Sequence, residues 1–203
     1  MQKLLDVLAS GIHDSKNQLF LAESLVAAYE NQHQADLGEV RFAIENAASR
    51  LSRSLAAYRL LRDGAQLAIV PVIIADLVDE VALAQRAHLS KQGLRLALDC
   101  PVVDAWPLDR DLIADLLNNA IQNACRYARQ QIRLSARLDH EILILRVDDD
   151  GPGFAQLPPA SGIGLLLAER IASLHQHQGR CGQLLLGNDS PLGGAWLELR
   201  LPT

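Results

Sequence analysis

The first third of the chain repeats apolar residues at alternating steps of three and four, and this pattern constrains the fold most. Its members are Leu8, Ile12, Ser15, Leu19, Ala22, Val26 and Tyr29, then, after a polar break at 31–36, Val40, Ile44, Ala47, Leu51, Leu55 and Tyr58. Such spacing predicts two helices with one apolar stripe each. Two antiparallel helices cannot bury both stripes alone, so we predict a hairpin that dimerises into a four-helix bundle.

The rest of the chain, after Asp63-Gly64, mixes helical and strand patterns. Helical spacing predicts further helices over residues 73–91, 108–129 with Pro107 opening the helix, and 163–174. Short apolar or alternating runs predict strands over residues 67–72, 94–98, 132–137, 142–147, 183–186 and 195–201. We therefore expect an α+β protein: an antiparallel helical hairpin over residues 1–66, then an α/β sandwich over 67–203 with helices on one face of a mixed sheet.

The composition argues against several classes of protein. The 203 residues carry a formal net charge of -5, whereas nucleic-acid binders usually present a basic face, so no nucleic-acid partner is expected. The longest apolar run, 67–75, is about half of what a membrane-spanning helix needs, so we predict no membrane segment. Three distant cysteines match no zinc spacing and indicate a cytoplasmic protein. Residues 1–10 leave no room for a sensor domain, so the signal comes from a partner or the chain is a piece of a longer protein.

A histidine stands on the polar side of the first predicted helix. Ile12 lies on the apolar seam, so His13 is turned about 100° away from it, toward water. Asp14 can hold the imidazole in one tautomer and accept its proton, which leaves the other nitrogen to attack a phosphorus atom. Asn17 and Gln18 follow one turn later, where an amide can orient a water molecule. A solvated polar stripe explains the same residues, and His-Asp alone favours that simpler explanation.

Asparagines recur on one face of the third predicted helix. Asn119 and Asn123 are four residues apart and therefore stack on that face. Asparagine is a mediocre helix former, so two of them suggest that their carbonyls have a task, such as ligating a hard cation. Arg126 follows one turn later and can meet a phosphate group. The alternative is that these residues only fill the polar face of a helix.

Two glycine-containing segments follow. The run Asp148-Asp149-Asp150-Gly151-Pro152-Gly153 ends a strand with three carboxylates, one of which can accept a hydrogen bond from an amine, while its glycines let a ligand approach the backbone. An acidic surface turn is the alternative. The second segment, Ser161-Gly162-Ile163-Gly164, opens a helix whose first N–H groups can hold phosphate.

The order of these motifs resembles the sensor histidine kinases of two-component systems, over about residues 5–201. Their nucleotide domain has the Bergerat (GHKL) fold shared with gyrase, Hsp90 and MutL. The resemblance implies an ATP- and Mg²⁺-dependent, homodimeric kinase that autophosphorylates a histidine and passes the phosphoryl group to a response regulator receiver domain.

The resemblance also implies a role for each motif residue. His13 would accept the phosphoryl group with Asp14 assisting, and Asn17 or Gln18 would position water for dephosphorylating the regulator. Asn123 would ligate Mg²⁺ with Asn119 beside it. Asp149 would accept from the adenine amine in a pocket shaped by Gly151 and Gly153. The backbone of Gly162 and Gly164 would line the phosphate side of the nucleotide site.

The chain departs from the family pattern at three places. Gln18 stands where the family often has proline, and Ala160 where it usually has glycine. The segment 154–161 is short and contains no Arg or Lys, so we expect weak, fast-exchanging nucleotide binding in which helix-start amides and Arg126 supply most of the phosphate stabilisation. The alternatives are a histidine phosphotransfer adaptor with a degenerate nucleotide domain, and a protein-serine kinase or anti-sigma regulator of the same fold.

Overall fold

A computed structural model describes residues 2–41, 43–44, 47–48, 51, 60, 66–157 and 163–202, with 2–10, 13, 16 and 163 described as backbone only. The chain divides into two compact units, Met1–Ala65 and Gln66–Thr203. Several residues of the two predicted seams, and Gly162 of the second glycine segment, lie outside the described residues.

The first unit begins with helix α1 (Gln2–His33). Gln34 adopts a positive φ of 51°, and residues 38–41 are helical again. Arg41 pairs with Glu23 at 3.2 Å and with Glu30 at 3.6 Å, and Glu30 also accepts a hydrogen bond from the Leu37 N–H at 2.8 Å. Because Arg41 contacts residues that precede it by about three and about five helical turns, the chain reverses direction over residues 34–37.

Helix α1 keeps an uncovered apolar stripe. Leu21, Leu25 and Tyr29 follow one another at steps of four, and their exposed fractions are 62%, 63% and 51%. Leu19, Ala22 and Val26 of the predicted seam are half-buried on a neighbouring face. Apolar side chains at this spacing form one continuous strip along a helix. The first unit, as described, therefore leaves apolar surface in contact with water.

The second unit alternates strands and helices. In chain order they are β1 (Val70–Ile73), α2 (Ile74–Lys91), β2 (Arg95–Asp99), β3 (Ala105–Leu108), α3 (Arg110–Cys125), β4 (Gln131–Asp139), β5 (Ile142–Asp149), α4 (Ile163–Leu174), β6 (Gln176–His177), β7 (Arg180–Cys181), β8 (Gln183–Gly187) and β9 (Trp196–Pro202). The main sheet has the order β2-β4-β5-β9-β8, in which only the β2–β4 pair is parallel. The pairs β1–β3 and β6–β7 form two small antiparallel sheets. The predicted α+β class with a mixed sheet is confirmed.

The two faces of the main sheet differ in chemistry. On one face the strands bury apolar residues against α2, α3 and α4, among them Ile132, Leu134, Leu143, Leu145 and Leu199. On the other face, Asp148 is fully buried between Arg133 at 3.1 Å and Arg146 at 2.9 Å, and Glu198 pairs with Arg146 and Arg200. The long arginine side chains cover this second face. The three helices therefore lie on one face of the main sheet, as expected from the sequence, and the arginines lie on the other.

The prediction that Pro107 opens a helix over 108–129 is wrong. Pro107 lies in β3 opposite Pro71 of β1, in a two-stranded sheet where a missing N–H is tolerated. The helix begins two residues later, because the Asp109 side chain caps it by accepting from the Leu112 N–H at 3.2 Å. It ends at Cys125, since the amides of residues 129–131 donate to Asp150 instead of continuing the helix.

Candidate functional site

The three aspartates at the end of β5 have three different environments. Asp148 is neutralised by two arginines behind the sheet. Asp150 accepts hydrogen bonds from the N–H groups of Arg129, Gln130 and Gln131 at 2.7–3.2 Å, and these bonds hold the pKa of its carboxyl below the ordinary value despite the opposing effect of burial. Asp148 and Asp150 thus have partners, which relieves the repulsion expected between adjacent carboxylates.

Asp149 is buried and differs from both neighbours. Its Oδ1 accepts from the Gly151 N–H at 2.8 Å and the Ala195 N–H at 3.2 Å. Burial raises the pKa of this carboxyl, the charges of Asp150 and Asp148 add to the rise, and the two backbone hydrogen bonds oppose it. Among the described residues, none donates a hydrogen bond to Oδ2. Asp149 therefore combines one fixed oxygen with one that can accept from a ligand.

Gly151 and Gly153, the two glycines of the turn after β5, lie where a side chain does not fit. A Cβ on Gly151 would lie 2.6 Å from the Tyr127 carbonyl oxygen, so the turn packs directly on the backbone just after α3. Gly153 has a φ of +80°, and a Cβ there would lie 2.8 Å from Asn188 Oδ1. The Gly151 contact brings the aspartate turn against the loop that follows Cys125, and the Gly153 contact brings it against the loop between β8 and β9.

Sequence reasoning missed the loop between β8 and β9 as part of the site. Asn188 Oδ1 accepts from the Phe154 N–H at 2.6 Å, and Asn188 Nδ2 donates to the Phe154 carbonyl at 2.9 Å. The Gly194 N–H donates to the Asp149 carbonyl at 3.1 Å, and the Asp149 N–H donates to the Ala195 carbonyl at 2.9 Å. The Gly193-Gly194 pair directly before the predicted strand 195–201 was the available signal, although it does not indicate a contact with Asp149. Asp149, Gly151, Gly153, Asn188 and Ala195 form what we call the aspartate half of the site.

The asparagines of α3 form the other half with the start of α4. A Cβ on Gly164 would lie 3.1 Å from Asn119 Nδ2, so the first turn of α4 lies against the asparagine face. Asn119 is half-buried, whereas Asn123 and Arg126 are exposed. Within the described part of the chain, the side chains of Asn123 and Arg126 make no hydrogen bond or ion pair. Asn119, Asn123, Arg126 and Gly164 form what we call the asparagine half.

The oxygen chemistry of this half fits Mg²⁺. The described residues hold no cluster of three His, Cys, Asp or Glu side chains that could cage a metal. Mg²⁺ usually takes only one or two protein oxygens and fills its remaining positions with water and substrate phosphates. The exposed amide oxygen of Asn123 is a hard ligand of this kind.

Comparison with known proteins agrees with this arrangement. Residues 108–203 match the family described as histidine kinase-, DNA gyrase B-, and HSP90-like ATPase. The crystal structure of the ATP binding domain of PrrB from Mycobacterium tuberculosis is similar, with 31% identity, a TM-score of 0.55, and coverage of 66% of this chain and 97% of that chain. Residues 108–203 are a histidine kinase-type ATP-binding domain.

Two further similarities extend beyond the ATP-binding domain. The sensor protein kinase CarS of Pseudomonas aeruginosa is 30% identical over 214 residues, which cover 94% of this chain and 44% of CarS. Full-length ShkA in complex with AMPPNP gives a TM-score of 0.67 at 21% identity, over 98% of this chain and 45% of that chain. The chain thus spans less than half the length of the curated relatives it matches.

Four of the remaining predicted site residues, His13, Asp14, Asn17 and Gln18, belong to the first unit. Asp14, Asn17 and Gln18 are exposed on α1, whereas the side chain of His13 and the whole of Gly162 lie outside the described residues. The predicted outward display of His13 therefore stays a prediction. No helix in the described ranges is both long and apolar enough to cross a membrane.

Proposed function

We propose that the chain is a histidine protein kinase that autophosphorylates His13 from Mg-ATP and passes the phosphoryl group to an aspartate on a response regulator. The observation that carries the proposal is the geometry of Asp149, a buried carboxylate with Oδ1 fixed by two backbone amides and Oδ2 without a donor among the described residues. The exocyclic amine of adenine is a donor that suits such an acceptor, and charge-assisted hydrogen bonds are the stronger kind.

The asparagine half supports phosphate binding beside that adenine site. Asn123, with Asn119 beside it, would hold Mg²⁺, which when bound neutralises charge on the phosphates. The N–H groups at the start of α4, including those of Gly162 and Gly164, would face the phosphates, because helix N-termini favour anions. Arg126 supplies an exposed guanidinium one turn beyond Asn123. ShkA in complex with AMPPNP, an ATP analogue, is consistent with nucleotide binding by this fold.

The transfer step needs an imidazole with one nitrogen free to attack. In the proposed step a nitrogen of His13 forms a bond to the γ-phosphorus while the bond from that phosphorus to the β–γ bridging oxygen breaks, and ADP leaves. Asp14 accepts the proton from the other nitrogen as the ring becomes positively charged. Catalysis consists mainly of positioning and charge neutralisation. Asn17 or Gln18 would later orient water when the kinase dephosphorylates its regulator.

The first unit supports a dimeric stalk. The uncovered strip of Leu21, Leu25 and Tyr29 needs a partner surface, and a second copy of the same helical hairpin provides one in a four-helix bundle. We therefore propose a dimerisation and phosphotransfer hairpin over residues 1–66, an ATP-binding catalytic domain over 67–203, and a homodimer as the working form. The reaction consumes ATP and needs a receiver domain, so we expect it to take place in the cytoplasm.

Incubation of the full chain with γ-labelled ATP and Mg²⁺ tests the proposal. We expect an acid-labile, base-stable label that is lost in His13→Ala and kept in His33→Ala, a control at an exposed histidine of the same helix. No label from ATP, together with acceptance of label from a phosphorylated regulator, would instead indicate an adaptor with a degenerate nucleotide domain. An acid-stable label on another protein would indicate a serine kinase.

A further inference from the structure

A buried histidine and aspartate of the second unit are not part of the proposed site. His175 follows the last residue of α4 and is 3% exposed, and Asp109 precedes the first residue of α3 and is 7% exposed. The two residues are 66 positions apart in sequence but in contact, since the Asp109 N–H donates to His175 Nε2 at 3.1 Å. The pair therefore joins the C-terminal end of α4 to the N-terminal end of α3.

The hydrogen bonds of His175 fix its tautomer. Its Nδ1 lies 2.8 Å from the Ile171 carbonyl, which can only accept, so Nδ1 carries the proton. Its Nε2 faces a backbone N–H, which can only donate, so Nε2 is unprotonated. Burial lowers the pKa of the ring, against the opposing effects of the Ile171 carbonyl and the Asp109 charge. His175 is therefore held as a neutral ring with both nitrogens used.

Asp109 uses both carboxylate oxygens for different elements. Oδ1 accepts from the Leu112 N–H at 3.2 Å and caps α3, while Oδ2 accepts from the Ala68 N–H at 2.8 Å. Ala68 belongs to residues 66–69, the irregular stretch with which the second unit begins, and we call this stretch the entry segment. The entry segment continues into β1, and β1 pairs with β3, which leads directly into Asp109. The entry segment is thus attached to the start of α3 twice.

We propose that Asp109 and His175 are positioning residues that couple the order of the entry segment to the nucleotide site. Helix α3 carries Asn119 and Asn123, and α4 begins at the segment that meets Asn119, so the pair holds the far ends of both helices of the asparagine half. A shift of α3 or α4 on nucleotide binding changes the Asp109 cap and with it the Ala68 anchor. Coupling of this kind is reciprocal, so order in the entry segment changes nucleotide affinity by the same factor. This inference rests on the proposed function in one respect, namely that the ligand is a nucleotide.

Amide hydrogen exchange at Ala68 in the full chain, with and without saturating Mg-AMPPNP, tests the coupling. In the unbound chain we expect His175→Phe, which removes both ring nitrogens, to speed Ala68 exchange roughly tenfold, because it frees the Asp109 N–H that anchors the cap. His175→Gln keeps an acceptor near the position of Nε2 and should restore most of the protection. Asp109→Asn keeps one cap acceptor and should lose Ala68 protection directly. Asp111→Asn, at a 93% exposed carboxylate of the same helix, should change nothing.

Nucleotide should slow Ala68 exchange in the wild type and in Asp111→Asn, but not in His175→Phe or Asp109→Asn. The proposal is overturned if Ala68 exchange in the unbound chain is the same in the wild type and in His175→Phe, or if bound nucleotide leaves Ala68 exchange unchanged. Absence of any AMPPNP binding would refute the proposed function instead. The comparison of unbound variants would then still decide whether the pair anchors the entry segment, because it needs no ligand. If His175→Phe fails to fold, Asp109→Asn takes its place as the variant that should lose both the Ala68 protection and its increase on nucleotide binding, with His175→Gln as the variant that should keep both; equal Ala68 exchange in these two variants would overturn the proposal.

Discussion

The two halves of the site are built in different ways. In the aspartate half, the key carboxylate is buried and held by one backbone N–H from its own turn, that of Gly151, and one from the β8–β9 loop, that of Ala195, so its position is set before any ligand arrives. In the asparagine half, Asn123 and Arg126 stand exposed on one end of a helix, with no hydrogen bond or ion pair from their side chains within the described residues. The first half is thus fixed in the absence of a ligand, whereas we expect the second to become ordered when a ligand binds.

In the proposed nucleotide site, we expect this difference to separate recognition of the adenine base from binding of the phosphates. A pre-formed acceptor contributes selectivity, because binding costs little reorganisation there. Exposed side chains contribute charge and metal coordination and lose conformational entropy when they bind. We therefore expect the aspartate half to select the base and the asparagine half to add affinity that depends on phosphates, metal and salt.

The largest effect is expected from Asp149→Asn. The substitution places an N–H₂ donor where a carboxylate oxygen would accept from the adenine amine. Two donors then face each other, so adenosine and ATP affinity should both fall roughly 100-fold. Since the pKa of Asp149 is raised, its ionised form is disfavoured in the folded chain. The unfolding midpoint of the variant at neutral pH should therefore stay unchanged or rise. Calorimetric titration and thermal unfolding measure the two quantities.

Asp150→Asn is the matched control for that variant. The pKa of Asp150 is lowered, so its carboxylate contributes stability that is present above the ordinary value of 3.8 and is lost as pH falls through the lowered pKa. Its loss should lower the unfolding midpoint by roughly 2–4 °C, the effect of about 1 kcal/mol in a chain of this size, with little change in adenosine affinity. Equal loss of adenosine binding in both variants would contradict the assignment of the base contact to Asp149.

Arg126→Ala should act only on the phosphate part of the ligand. We expect ATP affinity to fall roughly tenfold, since a charge-assisted contact is lost, while adenosine affinity stays unchanged. Arg129→Ala removes an equal charge three residues later and serves as the control. An Arg126→Ala chain that binds ATP and is phosphorylated like the wild type would refute the role of this guanidinium.

Asn188→Asp should weaken the aspartate half by a smaller factor. The isosteric change keeps the acceptor for the Phe154 N–H but loses the donor to the Phe154 carbonyl. We expect adenosine and ATP affinity to fall together, roughly threefold to tenfold, which corresponds to one hydrogen bond. If only ATP affinity fell, Asn188 would belong with the phosphate-binding groups, and the division into two halves would need revision.

The smallest effect concerns stability in mild acid. Because burial lowers the pKa of His175 in the folded chain, the unfolded chain takes up this proton first as pH falls below about 6.5. The stability of the wild type should therefore decrease over that range more steeply than that of His175→Gln. The pKa of His88 is also lowered, so His88 contributes to the same pH dependence in both chains. Only the difference between the wild type and His175→Gln therefore reports on His175. Denaturant unfolding at pH 5 and pH 7 gives both slopes.

The two halves also differed in how far the sequence could predict them. Asn119 and Asn123 could be placed on one face because helical spacing is a local rule. The bounds of α4 and the locations of β4 and β5 followed from local patterns in the same way. The start of α3 did not, since Pro107 proved to be a strand residue and Asp109 the cap.

The surroundings of Asp149 lay beyond sequence reasoning. Its partner Ala195 is 46 residues away in sequence, and only the β5–β9 register brings the two together. The run of three aspartates indicated that the carboxylates need partners, but it did not indicate which partner each carboxylate has. The same holds for His175, because its contact with Asp109 depends on the packing of α3 and α4.

Amide NMR spectra of the full chain titrated with Mg-AMPPNP test the division of the nucleotide site into two halves most directly. We predict saturable shifts in two groups: the amides of Gly151, Gly153 and Ala195, and the amides of Asn119 through Arg126. Adenosine alone should shift the first group and leave the second nearly unchanged. Saturating nucleotide that shifts neither group would contradict the account, and so would adenosine that shifts only the second.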